Sequence, residues 1–270
     1  MEYELVEKRV KELLDVVDKE KYPETYNRLE AFVDAWFDDL WDFWGNVMES
    51  DKKYPLEPNV AKLIEEILLD EIKENNHNAM CDLGSLYYNG RLNGVKDYKK
   101  AVYYYEMSAK LGNRQATENL GYCYYHGRLG EPDYKKAYHY FVKGALDRHM
   151  VSLYKVGDMY KNGLYVEKDE KQAYLIFKYC SESLDEYQEK DFGADIYIRL
   201  ADCYYNGRGI DKDLVLALEY YQKAERFYYP RVLDGDYLYE KQYERSITMQ
   251  QLVREELKKA IPDYSWTKNK

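Results

Sequence analysis

Leu83-Gly84-Ser85-Leu86-Tyr87-Tyr88-Asn89-Gly90-Arg91 recurs three more times along the chain. The second copy reads Leu120-Gly121-Tyr122-Cys123-Tyr124-Tyr125-His126-Gly127-Arg128, and the third Val156-Gly157-Asp158-Met159-Tyr160-Lys161-Asn162-Gly163. The fourth is Leu200-Ala201-Asp202-Cys203-Tyr204-Tyr205-Asn206-Gly207-Arg208. Their turn glycines stand at 90, 127, 163 and 207, so the period is 37, 36 and then 44. Each copy is followed by an Asp (Asp97, Asp133, Asp169, Asp213) and, four residues on, by an Ala (Ala101, Ala137, Ala173, Ala217). A large pair closes the unit: Tyr104-Tyr105, Tyr140-Phe141, Ile176-Phe177, Tyr220-Tyr221. Periods of this length mark stacked supersecondary units.

Each unit reads as a helix pair. The small residues let two helices cross closely, because a larger side chain would hold the backbones apart. Asn-Gly or His-Gly stops the first helix, since Gly takes the left-handed conformation there at little cost. The following Asp is a good N-cap for the second helix, and only Gln172 stands at the offset of a capping box. The surplus of the long third period falls near residues 182–194. That stretch reads as a two-turn helix extension, preferred over a polar loop.

The order Ala79, Leu-Gly, Tyr, Gly, Asp, Lys-Ala, Tyr-Tyr, Lys-Ala resembles the Sel1-like repeat, a relative of the tetratricopeptide repeat. Lys100-Ala101, Lys136-Ala137 and Lys223-Ala224 match it, while Gln172 and Leu216 replace the usual Lys and Ala201 the usual Gly. The resemblance implies an all-α fold: a right-handed α-solenoid of stacked antiparallel helix pairs, a superhelix like that of tetratricopeptide proteins. Copies fall at 78–112, 113–148, 149–194 and 195–225, between helical caps at 1–77 and 226–270. Such repeats resemble general protein-interaction scaffolds. Some Cys-rich bacterial relatives are linked to β-lactams, but their regular Cys pairs are missing here.

The flanks carry helical patterns of their own. Val6, Val10, Leu13, Leu14 and Val17 fall on one face of an opening helix. Pro23 suits a first turn, with Tyr26, Leu29, Phe32, Trp36, Leu40, Trp44 and Val47 following at helical spacing. Pro58 starts a third pattern through Val60, Leu63, Ile64, Ile67 and Leu68. Beyond the repeats, Tyr228-Tyr229-Pro230 interrupts the pattern, and a last helix is expected over about 246–260. Solenoids need such atypical terminal units to cover the exposed ends of the core.

Composition narrows the functional classes. The 270 residues include 40 basic and 50 acidic side chains, a net charge of −10. Residues 1–77 hold 21 acidic against 10 basic, so the negative charge belongs to that flank and the remainder is almost neutral. An acidic chain lacks the basic face that nucleic-acid binding requires. No run approaches a membrane span or a secretory signal. Cys81, Cys123, Cys180 and Cys203 fit neither a disulfide framework nor a zinc spacing, and read as small buried residues in a reduced, cytoplasmic setting. Of 33 Tyr, 23 lie within 78–225, mostly where the repeat requires a ring. No phosphate loop, paired Glu-x-x-His or nucleophile motif stands out, so no catalytic residue, metal or cofactor is expected.

Function is therefore sought where the copies differ. The positions before the conserved Leu are Asp82, Asn119, Lys155 and Arg199; those after the Gly are Ser85, Tyr122, Asp158 and Asp202. Stacked, they form columns along a concave surface suited to a protein or peptide partner. Trp41 joins them as an outward aromatic candidate, either for a partner or for a homodimer through the acidic aromatic helix. Arg91, Arg128 and Arg208 are expected to bind helix-end carbonyls. The preferred reading is a non-enzymatic scaffold. The alternatives are an inhibitor or immunity-type protein that blocks a basic partner with its acidic cap, and a hydrolase.

Overall fold

A computed structural model describes residues 3–34, 40–50, 55–235 and 239–260, with backbone only for 34 and 40–42. The described residues form thirteen helices and no strand. The chain divides into two compact units, residues 1–133 and 134–270.

The first unit holds α1 (Tyr3–Leu14), α2 (Pro23–Asp34), α3 (Leu40–Met48), α4 (Pro58–Lys73), α5 (His77–Asn89), α6 (Tyr98–Lys110) and α7 (Arg114–Tyr125). The second holds α8 (Tyr134–Leu146), α9 (Met150–Asn162), α10 (Glu170–Glu182), α11 (Glu186–Asn206), α12 (Leu214–Leu233) and α13 (Glu240–Ala260). Within the first unit, α1 to α3 pack in sequence, as do α4 to α7; within the second, all six helices do. That neighbour-on-neighbour order is the arrangement of an α-solenoid. Helices of 12–13 residues are marginal alone, so packing must supply most of their stability.

The repeat's local chemistry behaves as its sequence demands. Asp97, Asp169 and Asp213 accept N-terminal amides of α6, α10 and α12 through their side chains. Gly90, Gly163 and Gly207 end α5, α9 and α11 at φ between 66° and 70°. A second tie is invisible in the pattern. The backbone N–H of each Asp donates to the carbonyl of Tyr87, Tyr124, Tyr160 or Tyr204, at 2.9–3.0 Å. One residue thus closes the turn behind it and caps the helix ahead. The close crossings are real as well. A Cβ on Gly84 would stand 2.7 Å from the Tyr105 ring, and one on Gly157 would stand 2.6 Å from Phe177.

One flank follows its pattern where it is described and the other departs from it. The pattern expected from Pro23 to Val47 is helical over α2 and α3, and residues 35–39 between them lie outside the described residues. Hydroxyls of Thr25 and Ser50 meet at 2.7 Å, while Arg91 donates to the carbonyls of Met48 and Ser50. This ties α3 to the first repeat's turn. Pro230 does not interrupt the last repeat, because α12 runs through it to Leu233. It sits in the final turn, where one backbone bond is lost, while fully buried Tyr228 anchors the segment by donating its hydroxyl to Asp195 at 3.2 Å.

The long third period is a helix extension. Asp185 caps α11, which begins about two turns before its counterparts. The reciprocal capping box forms there, between Asp185 and Gln188, rather than at Gln172. Along α11, Asp195 and Asp202 receive the hydroxyls of Tyr228 and Tyr221 from antiparallel α12. The spacing is seven residues on both helices, so the two bonds fix their register.

Candidate binding site

The first helices of the opening two repeats, α5 and α7, flank α6, and the three enclose a cleft of about 190 Å3. Ser85, Tyr88 and Asn89 line it from α5, Tyr105 from α6, and Asn119 and Tyr122 from α7. Helical geometry explains the convergence, since residues three and four apart share a face. Ser85 donates to the Cys81 carbonyl at 3.1 Å, which leaves its oxygen to accept from the Tyr105 hydroxyl, also at 3.1 Å. Tyr88 accepts from Arg128 Nε at 2.9 Å. Burial pushes the Tyr88 hydroxyl above its ordinary range despite that cation, so it remains a proton donor.

Three of the sequence candidates therefore meet in one place: Ser85, Asn119 and Tyr122. Asp82 lies one turn away on α5, where it accepts the Trp44 indole N–H at 3.1 Å. Burial raises its carboxyl above the usual range, and the indole bond only partly opposes this. The cleft also recruits Tyr88, Asn89 and Tyr105, which read in the sequence as repeat signature. Asn89 differs from its counterparts only in its bonding. Its counterparts Asn162 and Asn206 donate to the carbonyls four residues back, at 2.9 and 2.8 Å, whereas Asn89 makes no such bond.

In the second unit the candidate positions turn inward on one another. Arg199 Nε and Nη2 bind the two carboxylate oxygens of Asp158, at 2.9 and 2.7 Å. Lys155 and Lys161 approach the same carboxylate at 3.6 and 3.9 Å. Side-chain exposure is only 10% for Asp158, 14% for Arg199 and 15% for Lys155. Burial would push Asp158 up, but Arg199 and then the lysines hold it below the ordinary carboxylate range. Burial likewise opposes the Arg199 charge, and Asp158 more than restores it. Lys155 is lowered by burial, only partly offset by Asp158. Asp202 accepts from the Tyr221 hydroxyl at 2.7 Å and from Arg245 on α13. These four residues are thus bound to each other and to neighbouring helices instead of standing free along an open face.

The remaining expectations divide. Phe43 and Trp44 are buried in the α1–α4 core, whereas the Trp41 side chain lies outside the described residues. Arg91 does bind helix-end carbonyls. Arg128 instead bonds to Tyr88 and stacks near Tyr98, and Arg208 approaches Glu170 at 4.0 Å. All four cysteines are buried free thiols, each pushed up to about 12 by burial, which leaves them unreactive. Among the described residues, no group of three or more His, Cys, Asp and Glu could hold a metal ion, and no helix is long and apolar enough to cross a membrane.

Comparison with known proteins bears on the same segments. Residues 77–113, 114–149, 151–178 and 195–226 match the Sel1 repeat. The fold is similar to that of a Sel1 repeat protein from Oxalobacter formigenes, with a TM-score of 0.55 and 20% identity over 85% of this chain and 96% of that one. A protective antigen of uropathogenic Escherichia coli with an SLR fold also matches, with a TM-score of 0.49 and 18% identity over 90% of this chain and 56% of that one. No curated protein matches.

Proposed function

Because this chain is a Sel1-like repeat protein, and Sel1 repeats are generally protein-interaction modules, we propose that it is a non-enzymatic scaffold. On this reading it holds a protein or peptide partner in the cleft between α5, α6 and α7. One observation carries the proposal. The slot between Ser85 and Asn119 is open and lined by polar groups, whereas the equivalent slot between Asp158 and Arg199 is closed by the chain's own ion pair.

Open polar groups at a part-buried site are costly unless water or a partner pairs them. About 190 Å3 lies below the range of roughly 300–1,000 Å3 typical of small-molecule pockets. The space suits a single side-chain anchor of a polypeptide better than a metabolite. The buried free thiols support a reducing, cytoplasmic setting for this activity.

The test is to give the first slot the second slot's solution. Tagged full-length chain and the double variant Ser85→Asp/Asn119→Arg would be compared in affinity capture from the native cell. The reading expects the double variant to lose the specific partner while melting like the parent. Retention of the partner would remove the cleft from consideration. Retention combined with steep loss at raised salt would point to the acidic first 77 residues instead.

A further inference from the structure

We infer that the cleft is a receptor for a carboxylate carried by the partner polypeptide, an inference that rests on reading the cleft as a binding site. Its free donors are the O–H of Tyr88 and the amide N–H groups of Asn89 and Asn119. Ser85 and Tyr105 have committed their protons internally, to the Cys81 carbonyl and to Ser85. Tyr88 is the opposite case: its oxygen already accepts from Arg128, so its O–H is left to give. Asn119 Oδ1 accepts from Gln115 at 3.2 Å, while its Nδ2 meets only the Cys81 sulfur at 3.9 Å, a weak acceptor. Asn89 adds an amide that its counterparts in later repeats use on their own helix.

Charge points the same way. The Arg128 guanidinium lies 5.5 Å from the Tyr88 ring centre and 5.1 Å from that of Tyr98, placing a fixed cation behind the phenol. None of the six lining residues is acidic. Two carboxyls nearby, Asp82 and Glu118, act on the buried Cys81 thiol and do not line the cleft. A site offering the O–H of Tyr88 and the N–H groups of Asn89 and Asn119 favours a group that only accepts. An ionised carboxylate is that group, and bonds to it are stronger than neutral ones.

The experiment titrates the full isotope-labelled chain by NMR with three probes. N-acetylglutamic acid α-amide carries a side-chain carboxylate, N-acetylalanine a chain-end carboxylate, and N-acetylglutamine amide neither. The side-chain amide signals of Asn89 and Asn119 are expected to shift saturably with a carboxylate probe, and the tighter of the two identifies the source. Tyr88→Phe should weaken that binding roughly tenfold or more, the effect of removing a bond to a charged group. Asn89→Ala, at an exposed position, should weaken it too and serves if Tyr88→Phe disturbs folding. Equal binding of the neutral probe, no saturable shift, or indifference to both substitutions would overturn the carboxylate. Should that happen while the double variant still loses its partner, the carboxylate falls and the binding reading stands. If the partner is also retained, both fall.

Discussion

Ser85 and Asn119 in the first unit occupy the same repeat positions as Asp158 and Arg199 in the second, yet the two slots have opposite fates. In the second unit the chain supplies an acid and a guanidinium that satisfy each other at 2.7 and 2.9 Å. In the first it supplies a hydroxyl and an amide, and a cleft remains. The same repeat positions therefore give either a sealed internal contact or an open cleft, depending on two side chains.

Breaking the closed slot should have the largest effect. Arg199→Ala leaves the Asp158 carboxylate buried with only two more distant lysines, and should cost about 3–5 kcal/mol in urea unfolding. A loss below about 1 kcal/mol would mean the pair is no more than a surface contact. Next comes the crossing beneath the open slot. Gly84→Ala drives a methyl into the Tyr105 ring and the Ala101 carbonyl, and should cost about 1–3 kcal/mol.

A smaller contrast lies in pH. The folded Asp158 carboxyl titrates below its ordinary value of 3.8, so its stabilisation is complete above that value and is lost as pH falls through the lower folded one. Asp82 has the opposite sign: its folded carboxyl is raised, so acidification favours the folded form at that point. Hydrogen exchange followed from about pH 5 down to about pH 2 should therefore show protection falling in α9 and α11 before α5. Parallel loss in all three helices would erase the distinction between the slots. The smallest effect is expected from Ser85→Asp/Asn119→Arg, which should change stability by no more than about 1 kcal/mol because the new pair satisfies itself. Strong destabilisation would show that the two slots are not interchangeable.

Much of this was legible in the residues. Gly90, Gly163 and Gly207 as helix ends, Asp97, Asp169 and Asp213 as caps, and small residues at the crossings all follow from local sterics and hydrogen bonding. The site was only half legible. Ser85, Asn119 and Tyr122 stood out because they vary between copies. Tyr88, Asn89 and Tyr105 did not, because they belong to the recurring repeat pattern and their surroundings, not their identity, place them at the cleft. Arg128 departs from its expected role for the same reason: like Arg91 it follows a turn Gly, but Tyr88 lies within its reach. At Pro230 local rules predict a break, because they count the lost backbone bond and cannot see the burial of Tyr228.

By itself the sequence determined the repeat, its helix pairs and the caps and turns between them, because those depend on groups within a few residues of one another. Only the tertiary structure decided which of the variable polar positions remain available. Asp158 and Arg199 are 41 residues apart, and whether they face a partner or each other depends on the packing of α9 and α11. A hydrogen bond is made or lost within about half an ångström, a precision that repeat spacing does not carry.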